Sequence, residues 1–140
     1  MSDWENTLAA CRDQLAPALF LAGDWVGEGH AHGEPVTATL RVRPILDATA
    51  VEVWETVGGH TDLSIYRFDP DAGHLEVLHL MPGALARHPV EASAEGLEWV
   101  TGPSAPSVLW TLRGDTLTSE VIWPRQRIAE VLVRYRRAPG

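Results

Sequence analysis

A chain of 140 residues is long enough for one domain with a sizeable core, since chains near this length take roughly 70% of the surface exposed on unfolding out of water, and it is too short for two. All 11 basic residues are arginine and stand against 19 acidic ones, for a formal net charge of -8, so nucleic acid and anionic membrane surfaces are not expected partners. Cys11 is the single cysteine, which excludes an intramolecular disulfide, and the chain has neither a leader-like start nor a run of about 18 apolar residues; a cytoplasmic protein is expected.

Ser2-Asp-Trp-Glu5 has the form of a capping box, in which Ser2 accepts from the amide three residues on and Glu5 reaches back. Trp4, Leu8, Cys11 and Leu15 come next at helical spacing on one face. Pro17 is expected to end that helix, giving a helix over 3–15 and a short further turn over 17–22. This N-terminal helical segment, residues 1–20, is expected to cover one end of a β-structure built from the rest of the chain, the whole forming a single domain.

From Asp24 the apolar period drops to two, and turn residues recur at short intervals. Gly23, Gly27, Gly29 and Gly33 punctuate the first strand, as a strand needs when it bends sharply and passes close to other backbone. Strands are predicted near 24–32, 35–43, 48–57, 61–68, 74–81, 86–94, 96–101, 106–113, 116–123 and 127–137. The separators, among them Gly58-Gly59, Asp69-Pro-Asp-Ala-Gly73, Pro82-Gly83 and Arg113-Gly-Asp115, hold the residues that turns require. So many short-linked strands form an up-and-down meander, and a meander that long must close on itself to remove its edges. The expected fold is all-β, a closed antiparallel barrel of about ten strands over residues 21–140. An open sandwich is the runner-up.

Five of the six tryptophans, Trp25, Trp54, Trp99, Trp110 and Trp123, fall in predicted strands. Core is the ordinary place for them, but an interior too wide to fill becomes a cavity lined by the same aromatics. Trp54, Tyr66, Trp99, Trp110 and Trp123 are therefore candidate walls of a ligand pocket. His79 and His88, on adjacent predicted strands, join them. His79 is the best general base the chain offers, because a partly buried imidazole titrates near neutrality. Glu52, Glu55 and Glu120 would each need a partner if they faced inward, and Arg67 or Arg134 could supply one.

His30, His32 and Glu34 lie at a spacing that puts them on one strand face, the weak candidates for a metal, but Gly33 and Pro35 place them at a hairpin end where they need not converge. No metal is expected. Nucleophile elbow, phosphate loop, dinucleotide fingerprint and paired-cysteine motifs do not occur, so covalent and nucleotide chemistry are not expected either.

Leu15-Ala-Pro-Ala-Leu-Phe-Leu-Ala-Gly-Asp-Trp-Val-Gly-Glu-Gly29 resembles the opening of the nitrobindin-like branch of the calycins, which begins with a Leu-rich turn and then Gly-x-Trp-x-Gly-x-Gly. Arg43-Pro-Ile-Leu-Asp-Ala-Thr-Ala-Val-Glu-Val-Trp54 and Tyr66-Arg-Phe-Asp-Pro-Asp-Ala-Gly73 look like the next landmarks of a related lipocalin-like family found in bacteria. The resemblance implies a ten-stranded barrel with an interior site. It also implies that Trp25 packs at the closed end beneath an arginine of the last strand, for which Arg134 is favoured over Arg136. Nitrobindins hold heme through a histidine just before the last strand; here Arg125-Gln-Arg-Ile-Ala-Glu-Val-Leu-Val-Arg-Tyr-Arg136 has none, and His88 is the last histidine of the chain.

The leading functional expectation is a binder of a small hydrophobic or aromatic molecule without a cofactor. The alternatives are a cavity enzyme of isomerase or cyclase type with His79 as base, and a heme protein in which a histidine such as His79 ligates the iron. A homodimer is expected through an outer strand face bearing Val51 and Val53.

Overall fold

A computed structural model describes residues 3–19, 21–103, 105–123 and 128–139. One helix, α1 (Asp3–Leu19), precedes ten strands: β1 (Gly23–Ala31), β2 (Glu34–Ile45), β3 (Ala50–Val57), β4 (His60–Asp69), β5 (His74–Met81), β6 (Ala84–Ala92), β7 (Gly96–Trp99), β8 (Ser107–Arg113), β9 (Thr116–Trp123) and β10 (Ile128–Arg137). Each strand pairs antiparallel with its neighbours in sequence, and β10 returns to β1, so the barrel is closed and has no free edge. Among the described residues no helix is long and apolar enough to cross a membrane.

The period of two sets the two faces of the wall. On β2, Ala38, Leu40 and Val42 are buried between outward Thr39 and Arg41; on β3, Val51 and Val53 are buried while Trp54 is 43% exposed. Val51 and Val53 therefore belong to the core and cannot form the outer dimer face expected of them. The outward apolar residues are instead Trp54, Leu63, Leu80 and Leu85, which strand register aligns in one row across β3 to β6.

Closure depends on the glycines of β1. A Cβ on Gly27 would lie 2.6 Å from the Arg134 carbonyl oxygen, and one on Gly29 would lie 1.8 Å from that of Leu132. Only residues without a side chain let β1 lie this close to β10 at the seam.

The helix packs chiefly on β4 and also touches β7 and β3, at the end where the β2–β3, β4–β5 and β8–β9 turns lie. Leu15, Ala18 and, just beyond, Leu21 are wholly buried there, and this packing carries the helix through Pro17 to Leu19 as a single element rather than two. The expected apolar stripe is buried only in its second half: Leu15 is core, whereas Trp4 at the free end is 67% exposed. Ser2, the expected cap, lies outside the described residues.

Trp25 forms the floor under this helix. It is 1% exposed and its indole N–H donates to the Leu21 carbonyl at 2.8 Å. The guanidinium over its ring is that of Arg137, 3.9 Å from the ring centroid, not Arg134. Alternation explains the correction: Val133 and Tyr135 point inward, so Arg134 and Arg136 point out, and Arg137 is the residue directly opposite Trp25 in the β1–β10 register. Arg137 also donates to the Ala22 carbonyl, tying the last strand to the helix junction.

Candidate functional site

Above this floor the inward positions of β3 to β9 surround a cavity of about 380 Å³ near the end opposite the helix. One wall is polar, with Glu55, Asp62, Ser64, His79 and His88; the other is apolar, with Val53, Met81, Trp99, Val108, Trp110 and Val121. A wider depression of about 880 Å³ over Glu28, Gly29 and Arg134 lies open on the outer face of β1 and β10, where nothing excludes water from a ligand.

Strand parity builds the polar wall. Glu55 comes after Val51 and Val53 on the inward face of β3 and stands directly opposite Asp62 of β4, with Ser64 and Tyr66 next along that same face. His79 of β5 sits opposite Ser64, and its Nε2 lies 3.4 Å from an Asp62 carboxyl oxygen. The other Asp62 oxygen is 2.9 Å from His60 Nε2 at the rim.

Glu55 receives a hydrogen bond from the Tyr135 hydroxyl at 2.5 Å, a contact that crosses the barrel from β10. Burial raises the Glu55 carboxyl from its ordinary 4.5 to about 7; the negative charge of Asp62 adds to this, and hydrogen bonds from Tyr135 and Ser119 oppose it. Glu55 thus stands half protonated at neutral pH. Neither arginine considered as partner for an inward carboxylate reaches Glu55: Arg67 lies outside against Asp69 and Glu76, Arg134 is outward, and phenol and serine hydroxyls hold Glu55 instead. Glu52 and Glu120 are outward.

The apolar wall is held from beneath by Tyr66. Its hydroxyl accepts from Trp99 Nε1 at 2.8 Å and from Trp110 Nε1 at 2.9 Å, which locks both indoles. Burial pushes the Tyr66 phenol well above its usual range, so it stays protonated. His79 meets Trp99 edge-on at 5.0 Å between centroids, and His88 stacks on the same indole at 5.8 Å. Burial, with His79 adding to it, lowers the pKa of His88 from its ordinary value.

His79, His88, Trp99 and Trp110 therefore stand around one cavity with Tyr66 under it. Trp54 and Trp123 do not join them. Trp54 alternates with inward Val53 and Glu55 and so faces out, its N–H donating to Glu52 at 2.6 Å; Trp123 is 37% exposed and donates to Glu130 at 3.0 Å. Asp62 and Ser64 are wall residues that did not stand out in the sequence, although their alternation with Leu63 and Ile65 was the available signal.

His32 sits in the β1–β2 turn with a φ of 52° and lies 3.1 Å from Glu130, away from His30 and Glu34. Among the described residues no three His, Cys, Asp or Glu side chains gather as a metal site. The cavity also suits a heme poorly. Its imidazoles could meet an iron, but His79 Nε2 already faces Asp62, and among the described residues the lining offers two carboxylates and no arginine to receive propionates.

The buried carboxyl has a consequence for stability. A carboxyl raised from 4.5 to about 7 binds more protons folded than unfolded between those values, so its contribution is fully present below pH 4.5 and is lost as pH rises through 7. Glu55→Gln should remove that part of the pH dependence. The wild type should lose about 2–3 kcal/mol relative to the variant between pH 5 and pH 8, read from urea unfolding. Parallel curves for the two proteins would show that Glu55 titrates normally.

Compared with known proteins, the chain matches no protein-family model and no curated sequence.

Proposed function

We propose that the protein binds a small, largely hydrophobic molecule inside the barrel. The observation that carries this reading is the cavity itself: a recessed space of about 380 Å³ with locked aromatic walls on one side and a few convergent polar groups on the other. A core built only for stability would fill such a volume, because unfilled space costs contacts and buried carboxyls cost desolvation. Side-chain exposures of 26% at Asp62 and 15% at His79 mark the way in.

The test uses 1-aminoanthracene, a flat aromatic probe whose fluorescence rises out of water. The wild type should bind it at one site per chain. Ala86→Trp, which fills the cavity from its β6 wall, should abolish binding while circular dichroism remains that of a barrel. Equal binding by the folded variant would place the probe elsewhere and remove the reading.

A second reading, acid–base catalysis on the bound molecule, is favoured by one observation: a carboxyl poised near neutrality lies beside the His79–Asp62 pair in the same water-poor space. His79 would then be the base and Glu55 the acid.

A further inference from the structure

Among the described residues the ionisable groups lining the cavity are two carboxyls, Glu55 and Asp62, and the imidazoles of His79 and His88. Glu55 and Asp62 are direct cross-strand partners on the inward face, where like charges opposite each other destabilise a sheet unless something compensates. The groups facing Glu55 are Asp62 from β4, Tyr135 from β10 and Ser119 from β9; its β2 neighbour is Leu40, which carries no charge. Beyond Asp62 stand His79 and His60, and beyond those His88, its pKa lowered by burial and by His79. The chain has no lysine, and among the described residues no arginine lines the cavity. Independently of the carboxyls, Ser64 lines the same space while 9% exposed, and its hydroxyl makes no hydrogen bond with another described residue. Asp62 Oδ1 is out of contact with solvent and accepts no hydrogen bond from a described residue, although His60 Nε2 lies 2.9 Å away. Buried polar groups are ordinarily satisfied, so these open valences beside a carboxyl pair point to a polar head that belongs to a ligand.

Resting on the cavity-binding reading, we infer that the ligand class is a small hydrophobic amine bound as its ammonium cation. The ammonium lies between Glu55 and Asp62 within reach of the Ser64 hydroxyl, and the apolar body lies against Trp99, Trp110, Val108 and Val121. An ammonium brings three donors to a wall made of acceptors, and indoles favour a nearby cation. An anion or a fatty acid would face two carboxyls with no lysine or arginine among the described lining residues to offset them. Binding the ammonium favours the ionised form of Glu55, so uptake of the amine releases the fraction of a proton that Glu55 carries near neutral pH.

The experiment compares 2-naphthalenemethylamine with 2-naphthalenemethanol, which share one ring system and differ in the charged head, by calorimetry at pH 7 and 8. In the wild type the amine should bind about tenfold or more tightly than the alcohol. It should gain affinity from pH 7 to 8 and give a heat that depends on the buffer's ionisation enthalpy, the sign of proton release. Glu55→Gln and Asp62→Asn should each lower the affinity for the amine by more than the affinity for the alcohol, narrowing the difference between them. Ala86→Trp should lose both compounds, which separates the cavity from general attraction of a cation to an acidic protein. If the alcohol binds as well as the amine, the charge inference fails and the cavity reading stands. If neither compound nor 1-aminoanthracene binds, both fail.

Discussion

Tyr66→Phe lowers the free energy of unfolding by about 2–6 kcal/mol, although it removes a single oxygen atom. That oxygen is the shared acceptor for the indole N–H groups of Trp99 and Trp110, and all three side chains are almost wholly buried. Phenylalanine fits the same space but accepts nothing, and each buried donor left without a partner costs about 1–3 kcal/mol. Because the loss arises from orphaned donors, Trp99→Phe in the Tyr66→Phe background should cost less than it does alone. The two substitutions share one interaction, and a double-mutant cycle in urea reads it. A loss below about 0.5 kcal/mol for Tyr66→Phe would mean that the indoles find other acceptors and that Tyr66 does not fix the cavity wall.

Trp25→Ala should cost about 3–5 kcal/mol, the usual result of truncating a large buried aromatic. Trp25 joins the helix junction through the Leu21 carbonyl, fills the floor between β1 and β10 and carries Arg137 over its ring. Arg137→Ala removes the cover together with the bond to the Ala22 carbonyl and should cost less, about 1–2 kcal/mol. The floor and the cavity lie at opposite ends of the barrel, so the folded Trp25→Ala protein should still bind 1-aminoanthracene. A Trp25→Ala protein with an unchanged melting temperature and no probe binding would make Trp25 a pocket wall instead.

Most strand positions were legible because turn chemistry brackets the strands closely: Gly58-Gly59, Asp69 to Gly73 and Arg113 to Asp115 each sit at an observed turn. Barrel closure was legible from β1, whose glycines make sense only where another backbone comes close. Two features were harder to read, for physical reasons. The helix runs through Pro17 because Leu15, Ala18 and Leu21 gain a place on the barrel end, a tertiary effect that local propensity does not contain. The inner face was ambiguous because this barrel puts tryptophans on both faces and carboxyls on both faces. Trp54 and Trp110 read alike in sequence, as do Glu52 and Glu55, and only the anchoring of Val51 and Val53 in the core decides between them. The Trp25 cover shows the same limit, since Arg134 and Arg137 belong to one strand and an odd offset puts them on opposite faces.

The claim that the barrel interior is a binding site is tested most directly by tracking the indole N–H resonances of uniformly ¹⁵N-labelled protein during titration with 1-aminoanthracene. Trp99 and Trp110 wall the cavity, Trp25 lies at the floor, and Trp4, Trp54 and Trp123 face out. The predicted result is that the Trp99 and Trp110 signals, assigned by single substitution, move to saturation together while the other four stay in place. Movement confined to Trp54 or Trp123, with Trp99 and Trp110 unmoved at saturating probe, would put the binding surface outside the barrel and contradict the account.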